Sequence, residues 1–213
     1  VTLATSDLTF AYRKGSAPVI ESLTTAFAPG ALTAVTGPSG SGKSTLLYIL
    51  ALMLRTTSGE VLWDGRPVTA LPDAERSRLR AADVGFVFQD AMLDPARTIT
   101  DNVCEGALFA GMPARTARTR AAALLDRFGV GHRATHRPGE ISGGQAQRVA
   151  LCRALLTSPR VVFGDEPTGN LDHASARIVW DALHVHARDG ATVVIATHDE
   201  QLAAEADHRL VLA

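Results

Sequence analysis

The chain has 213 residues, 46% of them hydrophobic and 20% charged, with a formal net charge of -1. That size and balance suit one or two globular units with a sizeable core, and the near-zero charge argues against a nucleic-acid partner held by bulk positive potential. Two cysteines, Cys104 and Cys152, give no disulfide framework, so a reducing cytosol is the expectation.

The opening stretch, VTLATSDLTF, lacks the basic start and apolar core of a signal peptide. With no initiator Met and an abrupt end at HRLVLA, the termini read as trimmed. Residues 1–36 read as strands: LTFAY alternates, VIESLTTAFAPG closes on a Pro-Gly turn, and ALTAV runs into a glycine loop. A buried helix is predicted over 44–54. Its apolar run, LLYILALML, is the longest in the chain and too short to cross a bilayer, so the protein is expected to be soluble by itself. GEVLWDGRPV at 59–68 reads as a hairpin turning at Asp64-Gly65. VGFVFQ at 84–89 reads as a short buried strand.

From about 90 to 158 the pattern is helical and rich in Ala and Arg, with breaks near Pro113 and Pro138. RVVFGDE at 160–166 and ATVVIATHD at 191–199 are apolar strands, separated by a helix around 174–188. Strands alternating with helices predict an α/β fold with a mostly parallel sheet. Residues 90–158 read as an inserted helical subdomain.

GPSGSGKST, residues 37–45, fits the phosphate-loop pattern G-x-x-x-x-G-K-[ST] between a strand and a helix. Gly37, Gly40 and Gly42 let the backbone wrap phosphate closely. Lys43, one of only two lysines beside Lys14, reaches the β- and γ-phosphates, and Ser44 ligates Mg²⁺. The loop alone leaves kinase, GTPase and motor open. VVFGDE, residues 161–166, delivers Asp165 and Glu166 to the C-terminal end of an apolar strand, where ligands sit in open α/β sheets. Asp165 suits the Mg²⁺ shell, and Glu166 a general base or water-positioning group. ISGGQAQRVALCRALL, 141–156, is a second glycine turn opening a helix, with Ser142 placed to cap it and Gly143 and Gly144 clearing its first turn.

Taken in order along the chain, these motifs resemble the ATP-binding cassette of ABC transporters, over essentially the whole length. The resemblance implies a P-loop NTPase core in residues 1–89 and 159–213, including an N-terminal antiparallel β subdomain, with the helical subdomain at 90–158 carrying the signature motif. It implies ATP and Mg²⁺ as ligands. Tyr12 then stacks on adenine, and Gly37, Pro38, Ser39, Gly40, Ser41, Gly42, Lys43, Ser44 and Thr45 form the phosphate loop. Ser44, Gln89 and Asp165 serve the metal. Glu166, His198 and Gln89 serve catalysis, His198 touching the γ-phosphate. Ser142, Gly143, Gly144 and Gln145 form the signature, and Asp172, in the GNLD loop at 169–172, crosses a dimer interface. Ile141 stands for the commoner Leu, Ala146 for Gln or Glu, and Gly164 for a larger apolar residue.

The family packs two cassettes head to tail, each ATP lying between the phosphate loop of one copy and the signature helix of the other. The second glycine turn therefore serves a neighbour's phosphate. DEPTGNLD, 165–172, and FQDAMLDPARTITDNV, 88–103, resemble the subgroup serving macrolide, lipoprotein and haem exporters and a relative in cell division, although AMLDPARTITDNV departs in several positions. The implied partners are a second copy and a separate transmembrane permease subunit, not nucleic acid, at the cytoplasmic face of the cell membrane. The alternative is a soluble or regulatory ABC-type ATPase uncoupled from transport. A simple nucleotide kinase would not need ISGGQ, Gln89 or His198.

Overall fold

The computed structural model describes residues 1–13 and 15–213. Leu3–Phe10 (β1) and Ile20–Phe27 (β2) pair antiparallel, and Leu32–Thr36 (β3) then runs into the glycine loop that opens Lys43–Leu50 (α1). Ser58–Trp63 (β4) and Arg66–Pro67 (β5) form the expected hairpin. Asp64 and Gly65 at its turn have φ of 49° and 75°, the left-handed pair that matches strand twist. Asp73–Asp83 (α2) leads into Val84–Val87 (β6). Ile99–Phe109 (α3), Ala114–Arg127 (α4) and Gly143–Leu155 (α5) follow, then Val161–Asp165 (β7), His173–Arg188 (α6), Thr192–Ala196 (β8), Glu200–Ala204 (α7) and His208–Val211 (β9).

The strands form two sheets. One is antiparallel, in the order β2-β1-β4-β5; the other is parallel, in the order β6-β7-β8-β3-β9. Strands β3, β7 and β8 are buried at every residue, as parallel strands covered on both faces must be. Their side chains divide by alternation. Leu32, Val162, Val193 and Ile195 join a core with α3, α4, α5 and α6. Val35, Val161, Phe163, Val194 and Ala196 join a second core with α1 and the antiparallel sheet. Helix starts are capped locally: Thr98 Oγ1 accepts from Asp101 N at 3.1 Å, Ser142 Oγ from Gln145 N at 3.3 Å, and Asp172 Oδ1 from Ser175 N at 3.0 Å.

Several elements differ from the sequence expectation. The strand expected over 84–89 ends at Val87, because the Phe88 carbonyl accepts from Gln147 Nε2 at 2.7 Å instead of continuing a ladder. The helix expected over 44–54 ends at Leu50. Leu52 turns left-handed at φ 60°, and its carbonyl accepts from Arg76 and Arg80, both at 2.7 Å. Helix α2 has too polar a sequence to show a face, and Arg76 is its only buried residue. The stretch expected to be helical over 90–158 breaks near Pro113, which precedes α4, and near Pro138, as expected; beyond those breaks the chain is irregular before α3, and short 3-10 turns form at Gly131–Arg133 and Pro138–Glu140. No helix among the described residues is long and apolar enough to cross a membrane.

Candidate functional site

The parallel strands all point one way, so their C-terminal ends share one edge of the sheet. The glycine loop leaves β3 at that edge, and Gln89 follows β6 by two residues. Asp165 ends β7 with Glu166 next to it, and His198 follows β8 by two residues. Residues far apart in sequence are gathered by strand direction alone.

In the loop, Gly37 has φ 147°, and a Cβ there would lie 2.3 Å from the Leu212 carbonyl oxygen. Only glycine fits. The Lys43 amine sits at the centre of the curl, donating to the carbonyls of Gly37 at 2.9 Å and Pro38 at 3.0 Å. Beside it lies a cleft of about 410 Å³ lined by Tyr12, Ser39, Lys43, Ser44, Thr45 and Glu166, among others. Tyr12 stands at its margin, 63% exposed, its ring edge-on to Phe10 at 4.9 Å and its hydroxyl 2.8 Å from Thr45 Oγ1.

Asp165 is buried and receives two hydroxyl donors, Ser44 Oγ to Oδ1 at 2.8 Å and Tyr48 Oη to Oδ2 at 2.9 Å. Tyr48 is a site residue absent from the sequence reading. The only sequence signal for it is its place one helical turn beyond Ser44. Burial and the bond to the Asp165 carboxylate push its phenol up to about 12. Ser44 and Asp165 are hard oxygen donors side by side at the phosphate loop. That is the set a small divalent cation such as Mg²⁺ takes when phosphates and water complete its shell, so these residues fit the cation.

Glu166 has φ 49°, a left-handed conformation costly for a residue with a side chain, and its N–H donates to Ala196 O at 2.9 Å across to β8. Its Oε2 lies 2.8 Å from His198 Nδ1 and accepts the His198 backbone N–H at 3.3 Å. Glu166 is the shielded partner, with its side chain 16% exposed against 71% for His198. With Nδ1 turned to the Glu166 carboxyl, Nε2 is the ring nitrogen left to meet a ligand.

Ser142, Gly143, Gly144 and Gln145 do not line the phosphate cleft of their own chain. They form a reciprocal cap, Gln145 N donating to Ser142 Oγ at 3.3 Å and Ser142 N to Gln145 Oε1 at 3.0 Å. The two glycines differ. A Cβ on Gly143 would meet open space, whereas one on Gly144 would lie 2.8 Å from Ser175 Oγ at the start of α6. The Asp172 carboxylate caps α6 through Ser175, whose N–H and hydroxyl hold it below the usual carboxylate range. Gln89 is exposed beside the GNLD loop: its amide nitrogen lies 3.6 Å from where a Cβ on Gly169 would sit.

Gln147, also absent from the sequence reading, ties these parts together. It is buried, and its amide nitrogen donates to Phe88 O at 2.7 Å and Pro167 O at 2.9 Å. One side chain of the signature helix thus holds both the residue before Gln89 and the residue after Glu166. A second, exposed bridge runs from Asn170 Nδ2 to Asp90 Oδ1 at 3.2 Å.

A family model described as ABC transporter matches residues 20–169. The chain is 48% identical over 179 residues to the lipoprotein-releasing system ATP-binding protein LolD of Paramagnetospirillum magneticum, a match covering 84% of this chain and 79% of the relative. It is 43% identical over 205 residues to the protein of that name from Xanthomonas campestris pv. campestris, covering 96% and 86%. Among solved structures it resembles a dimeric post-hydrolysis state of the ATP-binding cassette MJ0796 bound to ADP and Pi. There the TM-score is 0.90 and the identity 32%, over 99% of this chain and 94% of that one.

Proposed function

Since the chain belongs to the ABC transporter family, we propose that it is the ATP-hydrolysing subunit of an exporter-type system of the lipoprotein-releasing kind, working as a head-to-tail pair beneath a separate membrane subunit. The observation that carries this reading is the gathering of Lys43, Ser44, Asp165, Glu166 and His198 at one sheet edge around a cleft that opens on the phosphate loop.

ATP lies with its phosphates against the loop 37–42 and the start of α1. Backbone N–H groups at a helix start and the Lys43 amine favour negative charge there. Tyr12 offers its ring to the adenine. Ser44 and Asp165 would hold Mg²⁺, with Gln89 nearby, and the cation would supply charge neutralisation at the phosphates. Glu166 orients the attacking water and takes its proton, a role worth about 10²–10⁴-fold in rate. His198 holds the Glu166 carboxylate through Nδ1 and presents Nε2 to the γ-phosphate. Ser142, the open face at Gly143, Gly144 and Gln145 meet the γ-phosphate of the partner copy, and Asp172 lies at the crossing between copies. Residues 90–158 act as the helical subdomain that carries this surface.

The membrane subunit docks on an apolar groove of about 620 Å³ lined by Met53, Val84, Phe86, Phe88 and Phe109, with Arg153 at its wall. Phe109 is 76% exposed. Arg153 donates to Ala91 O and Met92 O, both at 2.8 Å, and so holds the loop after Gln89 beside the groove. Docking there would hold this chain peripherally at the cytoplasmic face of the membrane.

The test is a cross-link. In a background with Cys104→Ser and Cys152→Ser, the pair Ser39→Cys and Ser142→Cys should form an interchain disulfide when ATP is held by Glu166→Gln, and little with ADP. A disulfide requires Cα atoms within about 7 Å. A monomeric cross-linked product, or equal yield with and without nucleotide, would remove the head-to-tail pair. Co-purification of a membrane protein in detergent tests the partner.

A further inference from the structure

We propose that Tyr48 is a positioning residue for Asp165, fixing the rotation of its carboxylate so that the ATP site favours Mg²⁺ over larger divalent cations. The inference rests on the assignment of Asp165 to the cation. Ser44 and Tyr48 are four residues apart on α1, and residues at that spacing share one helix face. Both hydroxyls meet the same carboxylate, on different oxygens: Ser44 on Oδ1 at 2.8 Å, Tyr48 on Oδ2 at 2.9 Å.

The terminal torsion of an aspartate is broad and weakly restrained. One donor leaves the group free to swing about that bond, whereas two donors on separate oxygens hold it in a single plane. The Tyr48 hydroxyl is itself placed by packing, because its ring lies 5.6 Å from Phe86, which stacks on Phe88 at 4.3 Å and approaches Phe163 at 6.1 Å. Support of this kind makes a site geometrically narrow.

Narrowness matters to cation choice. Mg²⁺ demands near-ideal octahedral geometry, while Ca²⁺ accepts more ligands in looser arrangements, so selectivity between them follows the rigidity of the donors. Ser44 and Asp165 would each supply an oxygen, and the bond between them ties the two donors together. Tyr48 does not line the cleft beside the phosphate loop and acts through Asp165.

The experiment measures binding of a non-hydrolysable ATP analogue at rising Mg²⁺, at rising Ca²⁺, and in EDTA, for the unaltered protein, Tyr48→Phe, Asp165→Asn and the double variant. Tyr48→Phe keeps the ring and removes only the hydroxyl. The Mg²⁺ concentration for half-saturation should rise about 10-fold, the lower end of what loss of an outer-shell partner costs. The Ca²⁺ requirement should move less, and binding in EDTA should stay as it was. In the Asp165→Asn background, Tyr48→Phe should add no further change. An unchanged Mg²⁺ requirement in Tyr48→Phe, with a raised one in Asp165→Asn, would overturn the role of Tyr48 and leave that of Asp165 standing. An unchanged requirement in Asp165→Asn would overturn both. An equal loss in EDTA would mean that the hydroxyl merely steadies α1, which also defeats the proposal.

Discussion

His198 holds Glu166 twice through one oxygen: Nδ1 lies 2.8 Å from Oε2, and the backbone N–H of the same histidine donates to it at 3.3 Å. The acid is therefore aimed from β8, two residues past the strand's end, while its own backbone is held left-handed at φ 49°. Glu166→Gln keeps the size of the side chain and removes the base. Phosphate release should fall by about 10²–10⁴-fold, while nucleotide retained on a filter or column should not fall. Near-normal turnover in Glu166→Gln would take the water-activating role from this residue.

Gln147 bridges two separate segments with one side chain. Its two amide hydrogens go to Phe88 O and Pro167 O, and it is buried. Gln147→Leu leaves both carbonyls without a donor, at about 1–3 kcal/mol for each unsatisfied group. In a chain of this size each kcal/mol lowers the melting temperature by roughly 2–4 °C. Gln147→Glu should be worse, since its carboxylate would face two carbonyl oxygens. Thermal unfolding reads both, and a midpoint unmoved by Gln147→Leu would show that the bridge contributes nothing to stability.

The two signature glycines separate cleanly by experiment. Gly143 faces open space, and alanine favours a helix by about 0.5–1 kcal/mol over glycine, so Gly143→Ala should leave the free chain as stable as before or slightly more so. On the proposed head-to-tail pairing it should still depress ATPase activity, because the added methyl would face the partner copy's phosphate. Gly144→Ala must displace Ser175, which lies 2.8 Å from the new methyl and supports the Asp172 cap. Its helix gain should be offset, leaving it less stable than Gly143→Ala in a denaturant titration. Full activity in Gly143→Ala would argue against the shared site.

The two thiols should differ in reactivity. Burial pushes Cys152 up to about 12 from an ordinary 9.0, and burial also raises Cys104, which is only half-buried. At neutral pH an alkylating reagent should modify Cys104 slowly and Cys152 only on unfolding. The raised value at Cys152 favours the protonated thiol in the fold. Its contribution to stability is whole below pH 9 and declines as the pH rises toward 12. Mass spectrometry of the alkylated chain checks the order, and early labelling of Cys152 would contradict the burial.

The core half of the site was legible because its chemistry is written in contiguous motifs. GPSGSGKST must be glycine-rich wherever a backbone wraps phosphate, and VVFGDE announces a buried strand ending in two acids. The hairpin turn at Asp64-Gly65 was legible for a similar local reason, since two consecutive left-handed residues restrict the choice of side chain. Helix α2 was not, because it is held by Arg76 against the carbonyls of Leu52 and Leu54 rather than by an apolar face.

By itself, the sequence determined the class of fold and the residue types of the glycine loop and of the acids at the end of β7, because those depend on backbone conformation and on side-chain chemistry within a few positions. Only the tertiary structure decided that Tyr48 shares Asp165 with Ser44, that Gln147 joins the chain before Gln89 to the chain after Glu166, and that Gly144 is needed against Ser175 while Gly143 lies open. The physical reason is that a hydrogen bond is set by distances of about 3 Å, whereas these partners are brought together by which strands pair and in what register. Parallel pairing of β6 with β7 and of β7 with β8 places Phe88, Glu166 and His198 at one edge, and no local pattern in the chain records that pairing.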